Sequence, residues 1–190
     1  MKTASLTIIL LLALSACRAT EQKAAADGEP EAAAQAEMRT STGPLGVGSP
    51  MPEYRATTLA GEPFEMSEMR GKVVLLNIWA TWCGPCRYEI PDLIELQNRF
   101  AAKGFDVLGV SVDAPETQKE VAPMVAERGI NYPILLDPDG AIANLFETSV
   151  IPTSALVDRN GRIVWTHIGI VDVNDREMLD VLNRALDAQS

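Results

Sequence analysis

The chain has 190 residues, 47% of them apolar, with 26 acidic against 16 basic side chains and a formal charge of −10 at pH 7. That balance argues against a partner held by its phosphate backbone, so no nucleic acid is expected among the ligands. With one histidine and three cysteines there is no second Cys pair or ligand cluster to complete a metal site, and none is expected.

Lys2 precedes an apolar run from Leu6 to Leu14, too short for the roughly 20 residues of a membrane span and suited to a secretory signal. The run ends in Leu14-Ser15-Ala16-Cys17, small residues ahead of a cysteine, which resembles a bacterial lipoprotein processing site. On that reading residues 1–16 are a signal peptide and Cys17 is the lipidated first residue of the mature protein. Removing Lys2, the one charge of the leader, takes the formal charge from −10 to −11. An ordinary cleaved signal or a short uncleaved anchor are the other readings, and each leaves the domain facing the extracytoplasmic side. Residues 17–49 are rich in Ala, Glu, Gln, Thr and Gly and poor in large apolar side chains, so they read as a lipid-anchored tether. The Ala-rich part, Ala24 to Ala36, has no apolar face with which to dock as a helix. A flexible chain of about 30 residues reaches about 30 Å, enough for the domain to swing over neighbouring membrane proteins. Residues 50–190, about 140 of them, suffice for one domain burying roughly two thirds of its surface.

Tyr54–Leu59 and Glu62–Phe64 flank Ala60-Gly61 as an opening hairpin, and Ser67–Lys72 leads into the apolar, β-rich run Val73–Trp79, expected as a buried strand. From Tyr88 to Phe100 apolar residues recur at helical spacing. Gly104 ends that pattern, and Phe105–Val112 reads as a second buried strand. Strand, helix and strand at this spacing predict a βαβ unit with parallel strands. A helix over Thr117–Arg128, a short strand over Tyr132–Leu136 and a brief helix over Ile142–Phe146 follow. Ser154–Asp158 and Arg162–Ile168 alternate about Asn160-Gly161, the strongest hairpin signal in the chain. Asp175–Ala188 closes the fold with Met178, Leu179, Leu182, Ala185 and Leu186 on one face. Helices are thus available for both faces of a mixed sheet, and the expected class is α/β, a three-layer α/β/α sandwich.

Between the first buried strand and its helix lies Trp82-Cys83-Gly84-Pro85-Cys86. Pro85 suits a first helical turn, where a missing N–H costs nothing. Cys83 then stands at the helix N-terminus, among unpaired N–H groups and the positive end of the macrodipole, which lowers the pKa of its thiol. Cys86 lies one turn along, facing inward. Cys83 is the expected nucleophile, and Cys86 would resolve the mixed disulfide that Cys83 forms. An inert disulfide or half of a zinc site are the alternatives. Haem attachment would need His after Cys86, where Arg87 stands. With Cys17 assigned to lipid and two cysteines to the site, none remains for a structural bridge, and the redox pair itself is the only cofactor expected.

Cys86, Glu89, Leu93, Leu96 and Phe100 form one helical stripe otherwise committed to the core. A carboxylate there is partly desolvated, which raises its pKa, and Glu89 could accept the Cys86 proton in the resolving step and return it later. The alternative is a solvated Glu favoured by the dipole. Trp82 is placed to cover the thiols, whereas Trp79 suits packing and His167, in a strand, reads as structural. Arg87 and Tyr88 read as a solvated rim that tunes partner choice.

Asn77-Ile78-Trp79-Ala80-Thr81-Trp82-Cys83-Gly84-Pro85-Cys86-Arg87, with Pro91 in the helix and Ile151-Pro152-Thr153 before the last hairpin, resembles the thioredoxin superfamily. Within it the chain is most similar to the TlpA/ResA-like membrane-anchored thiol-disulfide oxidoreductases, from about Gly46 to Ala188. The long interval from Cys86 to Pro152 fits a helix-strand insert over about Ala114–Leu135, a mark of that subgroup. The resemblance implies a thioredoxin-like fold, and a cis Pro152 packed against the cysteines. The backbone before that proline would stay free to pair with an extended substrate. Trp82, Gly84, Pro85, Ile151 and Pro152 would form the substrate-facing surface. Thioredoxin's buried Asp is replaced by Asn77, which cannot titrate, and the subgroup's Glu three residues after the second Cys matches Glu89. The implied activity is reduction of protein disulfides outside the cytoplasm, often in cytochrome c maturation, where apocytochrome c must be reduced before haem attachment. Electrons would come from an integral membrane dithiol carrier.

Three other functions compete. A peroxiredoxin needs its Thr two residues further from the reactive Cys than Thr81 stands from Cys83, and the spacing fails. A copper-delivery protein of related fold uses a wider Cys gap and a distant His, for which His167 is a poor stand-in. A periplasmic dithiol oxidant or disulfide-stress protein would run the same pair in reverse. Gly84-Pro85 is the dipeptide of reducing thioredoxins, but sequence does not fix a potential.

Overall fold

The computed structural model describes residues 45–188; the leader, the proposed lipid site Cys17 and nearly all of the expected tether lie outside the described residues. Seven strands form one mixed sheet: β1 (Arg55–Thr58), β2 (Pro63–Glu65), β3 (Val73–Trp79), β4 (Phe105–Ser111), β5 (Ile134–Leu136), β6 (Thr153–Val157) and β7 (Ile163–Ile168). Their order is β2-β1-β5-β4-β3-β6-β7, parallel where β4 meets β3 and β5 and antiparallel elsewhere. The helices are α1 (Gly84–Phe100), α2 (Val121–Arg128), α3 (Ala141–Leu145) and α4 (Arg176–Asp187). Among the described residues no helix is long and apolar enough to cross a membrane.

All seven residues of β3 are buried, because the sheet is covered on both sides. Strand alternation divides the core in two. Val73, Leu75 and Trp79 join Leu93, Leu96 and Phe100 of α1 and Met178 and Leu182 of α4. Val74, Leu76 and Ile78 face the other way, onto Met51, Met66, Met69, Ile142 and Phe146. The three layers are therefore unequal: α1, α2 and α4 cover one face, and α3 with a single 3₁₀ turn over Met66–Met69 covers the other. At Gly109 of β4 a Cβ would come within 2.7 Å of Ile134 Cδ1 and 3.1 Å of Trp79 Nε1, so only glycine lets the Trp79 indole lie against the sheet.

The expected elements are found, with two shifts of physical interest. The helix read over Thr117–Arg128 is divided into a 3₁₀ turn, Gln118–Glu120, and the shorter α2. Pro123 has no N–H to donate and so falls in the first turn of α2, where none is required. The strand read from Tyr132 begins at Ile134, after Pro133, and the insert adds β5 beside β4. Asp158 accepts from the N–H groups of Asn160 and Arg162 at 2.9 and 2.8 Å and closes the β6–β7 hairpin with Gly161 at φ +76°.

Candidate functional site

The parallel strands β3 and β4 are in register from Val73↔Phe105 to Trp79↔Ser111, so the residues following each strand emerge side by side at its carboxyl end. From β3 the chain turns through Ala80, Thr81 and Trp82 into α1. Cys83 caps the helix in an extended conformation, and the Cys86 N–H donates to Cys83 Sγ at 3.2 Å. The two cysteines are joined as a disulfide, and both are buried. Cys83 Sγ thus lies at a helix N-terminus and already accepts from one of the orphan donors, which would stabilise it as a thiolate.

The turn is held by a residue that sequence reading does not single out. Asp113, buried just beyond β4, accepts from the Thr81 N–H at 2.9 Å and the Thr81 hydroxyl at 2.6 Å, and from the Ser111 hydroxyl at 2.8 Å. The Val112 N–H donates to the Trp79 carbonyl at 2.9 Å. The equal lengths of the two strands are the signal that could have found this pair, since parallel pairing sets Thr81 beside Asp113.

Glu89 lies one turn after Cys86 and is 0% exposed. Its Oε1 accepts from Asn77 Nδ2 at 2.8 Å and its Oε2 from the Val171 N–H at 2.9 Å. Asn77 also donates to Ser154 Oγ at 3.0 Å across the β3–β6 pair. Loss of water raises the Glu89 pKa from 4.5 to about 7, against the two hydrogen bonds that favour its charge. Burial, with the Glu89 carboxylate nearby, also raises the pKa of the Tyr132 phenol, contributed by the insert. Ser154 and Val171 are the further residues of this network that sequence reading misses, with Tyr132 coupled to Glu89 through charge alone; Val171 enters through a backbone N–H and leaves no signal in the sequence.

The rest of the predicted site is placed as follows. The Ile151–Pro152 peptide is cis, and the Ile151 carbonyl oxygen stands 3.8 Å from Cys83 Sγ. The Thr153 hydroxyl donates to the Val150 carbonyl at 2.7 Å, which orders the loop in front of the proline. Trp82 is 63% exposed beside the disulfide, Gly84 and Pro85 are exposed in the first turn of α1, and Trp79 is buried in the core. His167 stacks on Trp165 with ring centroids 5.4 Å apart. Cys83, Cys86, Glu89, Trp82, Gly84, Pro85, Ile151 and Pro152 therefore meet at one end of the sheet. That arrangement can exchange a dithiol for a disulfide while a buried carboxyl group holds or releases a proton near neutral pH.

Comparison with known proteins agrees with this chemistry. The family model described as Redoxin matches residues 46–182. The chain is 34% identical over 123 residues to the thiol-disulfide oxidoreductase ResA of Bacillus thuringiensis, covering 65% of this chain and 70% of that one. It is 33% identical over 158 residues to the ResA of Geobacillus thermodenitrificans, covering 83% and 82%. A crystal structure of a thiol:disulfide interchange protein of the thioredoxin family from Chlorobium tepidum superposes with a TM-score of 0.63 at 28% identity, over 74% of this chain and 98% of that one. The family match spans most of the chain and the fold, the disulfide and the relatives agree, so the chain belongs to the Redoxin family as a ResA-like thiol-disulfide oxidoreductase of the thioredoxin superfamily.

Proposed function

We propose that this oxidoreductase works outside the cytoplasm as a reductant of protein disulfides. In the reduced state Cys83, as thiolate, attacks one sulfur of the substrate disulfide and expels the other as a thiolate. Cys86 then attacks Cys83 Sγ, the mixed disulfide breaks, and the second substrate sulfur leaves. Two electrons pass to the substrate and the Cys83–Cys86 disulfide is what remains; Cys83 enters as a thiolate, so the pair gives up only the Cys86 proton, and the two substrate thiolates take their protons from solvent. Glu89 accepts the Cys86 proton as that thiol becomes a nucleophile, a role suited to a group whose pKa is about 7. Trp82, Gly84, Pro85, Ile151 and Pro152 form the surface on which an extended substrate lies.

The observation that carries this reading is the burial of a protonatable carboxyl group one helical turn from the inner sulfur of the disulfide. The Gly84-Pro85 dipeptide favours the reducing direction, the relatives named thiol-disulfide oxidoreductase ResA support thiol-disulfide exchange, and the resemblance to the TlpA/ResA-like group suggests apocytochrome c as a substrate and an integral membrane dithiol carrier as electron donor. The apolar run Leu6–Leu14 and Ser15-Ala16-Cys17 favour export and a lipid anchor on Cys17, on the periplasmic face of a bacterial membrane. Equilibrating the purified protein against a dithiothreitol series and counting free thiols by mass tests the direction. A potential near that of thioredoxin, about −270 mV, is expected, and a value near about −120 mV would establish the oxidant instead. Labelling with radioactive palmitate, abolished by Cys17→Ser, tests the anchor.

A further inference from the structure

The insert brings the end of α2 close to the first turn of α1. Gly84, Arg87, Tyr88 and Arg128 line a cleft of about 160 Å³ there, and Gly84 itself lies between the two cysteines in the first turn of α1. Two cations in one cleft run against the character of a chain whose formal charge is −10.

The fold does not account for either arginine. Arg87 stands in the first turn of α1, which holds no acidic residue, so its charge opposes the helix dipole. Among the described residues it has no ion-pair partner. Arg128 lies in the last turn of α2, but the carbonyls there are already capped. The Gly129 N–H donates to the Ala126 carbonyl at 3.3 Å and the Ile130 N–H to the Val125 carbonyl at 3.1 Å. Arg128 Nε is shielded from solvent and has no hydrogen-bond partner. The Glu127 carboxylate stands 3.9 Å from it, beyond hydrogen-bond reach, and is 73% exposed. The Arg128 side chain as a whole is 34% exposed, so the outer part of its guanidinium group can meet an incoming anion although Nε itself is shielded.

We propose that this cleft is a specificity subsite that takes an Asp or Glu carboxylate flanking the disulfide of the polypeptide substrate. It rests on the proposal that the dithiol acts on protein disulfides. Guanidinium groups pair with carboxylates through paired N–H donors, and the exposed Tyr88 ring supplies a wall for the aliphatic stem. The cleft shares Gly84 with the turn that carries the cysteines, so a carboxylate seated in it belongs to the same chain segment as the sulfur under attack. A polypeptide, rather than a lipid or a free phosphate, is the molecule that must lie there.

The test offers the pre-reduced protein three disulfide-looped peptides that differ only in carrying Glu, Gln or Lys beside the loop. In each case two electrons move from the Cys83/Cys86 pair to the peptide, whose thiolates take their protons from solvent, and second-order rate constants are read by chromatography. The Glu peptide is expected to react about fivefold to tenfold faster than the Gln peptide, and the Lys peptide slowest. That preference shrinks as salt rises to about 0.5 M. Arg128→Gln brings the Glu-to-Gln ratio close to one, and Arg128→Glu turns the preference toward Lys. Equal rates for the three peptides, or a ratio that neither Arg128 variant moves, would overturn the subsite while leaving the exchange reaction intact. Failure to reduce any of the peptides overturns the proposed reductase reaction, and the subsite with it.

Discussion

In its first half α1 buries Glu89; two turns further on it buries Gln97. Glu89 Oε2 accepts from the Val171 N–H at 2.9 Å, and Gln97 Oε1 accepts from the Val107 N–H at 2.7 Å. Each thus satisfies a backbone donor that would otherwise lie unpaired in the core. Gln97 also donates to Asp106 at 3.2 Å, whereas Glu89 receives a second bond from Asn77. What the backbone donor requires at both places is an acceptor oxygen of the right reach; Glu89 uses its second oxygen as well, for Asn77 Nδ2. The group at 89 is ionisable where that at 97 is not, and burial raises its pKa to about 7. That is the group proposed to take the Cys86 proton in the resolving step.

Removing the chemistry from the first half of the helix gives the largest effect. Cys83→Ser is expected to lower disulfide reduction by about a thousandfold or more, to the level of buffer alone. Cys86→Ser keeps the attacking sulfur and lacks the resolving one, so mixed disulfides with substrate should accumulate and be visible by mass. A Cys83→Ser protein that still turned over would move the chemistry elsewhere.

Glu89→Gln makes the first half resemble the second. The shape and the acceptor for Val171 are kept while the proton is fixed, the new amide N–H₂ facing Asn77 Nδ2, and reduction should slow about 10²-fold. The step in rate centred at about pH 7 in the parent should vanish with it. Stability gives an independent readout. The folded protein holds the Glu89 proton up to about pH 7, and the unfolded chain releases it near 4.5. The contribution is therefore fully present below 4.5 and is lost as pH rises to about 7. Relative to Glu89→Gln, the parent should lose about 3 kcal/mol across that window in denaturant titrations. Stability curves that stay parallel for the two proteins would show that Glu89 titrates as an ordinary surface carboxylate.

The converse exchange, Gln97→Glu, places a carboxylate in the structural half, beside Asp106. A loss of about 2 kcal/mol at pH 8 is expected, shrinking on acidification as the new group protonates. The exchange rate per folded molecule should not change, since Gln97 lies two turns from Glu89 on the far side from the disulfide. A changed rate would mean that the two halves of the helix are not separable.

How much of this was legible follows from how locally each feature is encoded. The stripe Cys86, Glu89, Leu93, Leu96, Phe100 is a spacing within one helix, and the structure keeps all five buried. The last hairpin declares itself in Asn160-Gly161, and the cis Pro152 could be expected only through the family. α2 and β5 are shorter than the apolar pattern predicts because Pro123 and Pro133 set their starts. Val171 contributes a backbone N–H, which no side chain announces. Tyr132 reads as one more strand aromatic, and Arg128 as a cation at a helix end; only the packing of the insert brings them to the site.

Asp113 is the other case of non-local encoding. In the sequence it is one acid before Ala114-Pro115, an unremarked turn residue, and its partner Thr81 lies 32 residues away. The parallel register of β3 with β4 makes the pair. Asp113→Asn keeps the volume but replaces one acceptor oxygen with a donor facing the donors of Thr81 and Ser111, and should cost about 1 to 2 kcal/mol. If Asp113 serves packing alone, the loss should appear only in unfolding curves. If it holds the cysteine turn, the dithiothreitol equilibrium of the Cys83/Cys86 pair should shift as well, since the turn sets where Cys83 Sγ meets the helix N-terminus. A shifted equilibrium would extend the chemical half of α1 back across the turn to the end of β4.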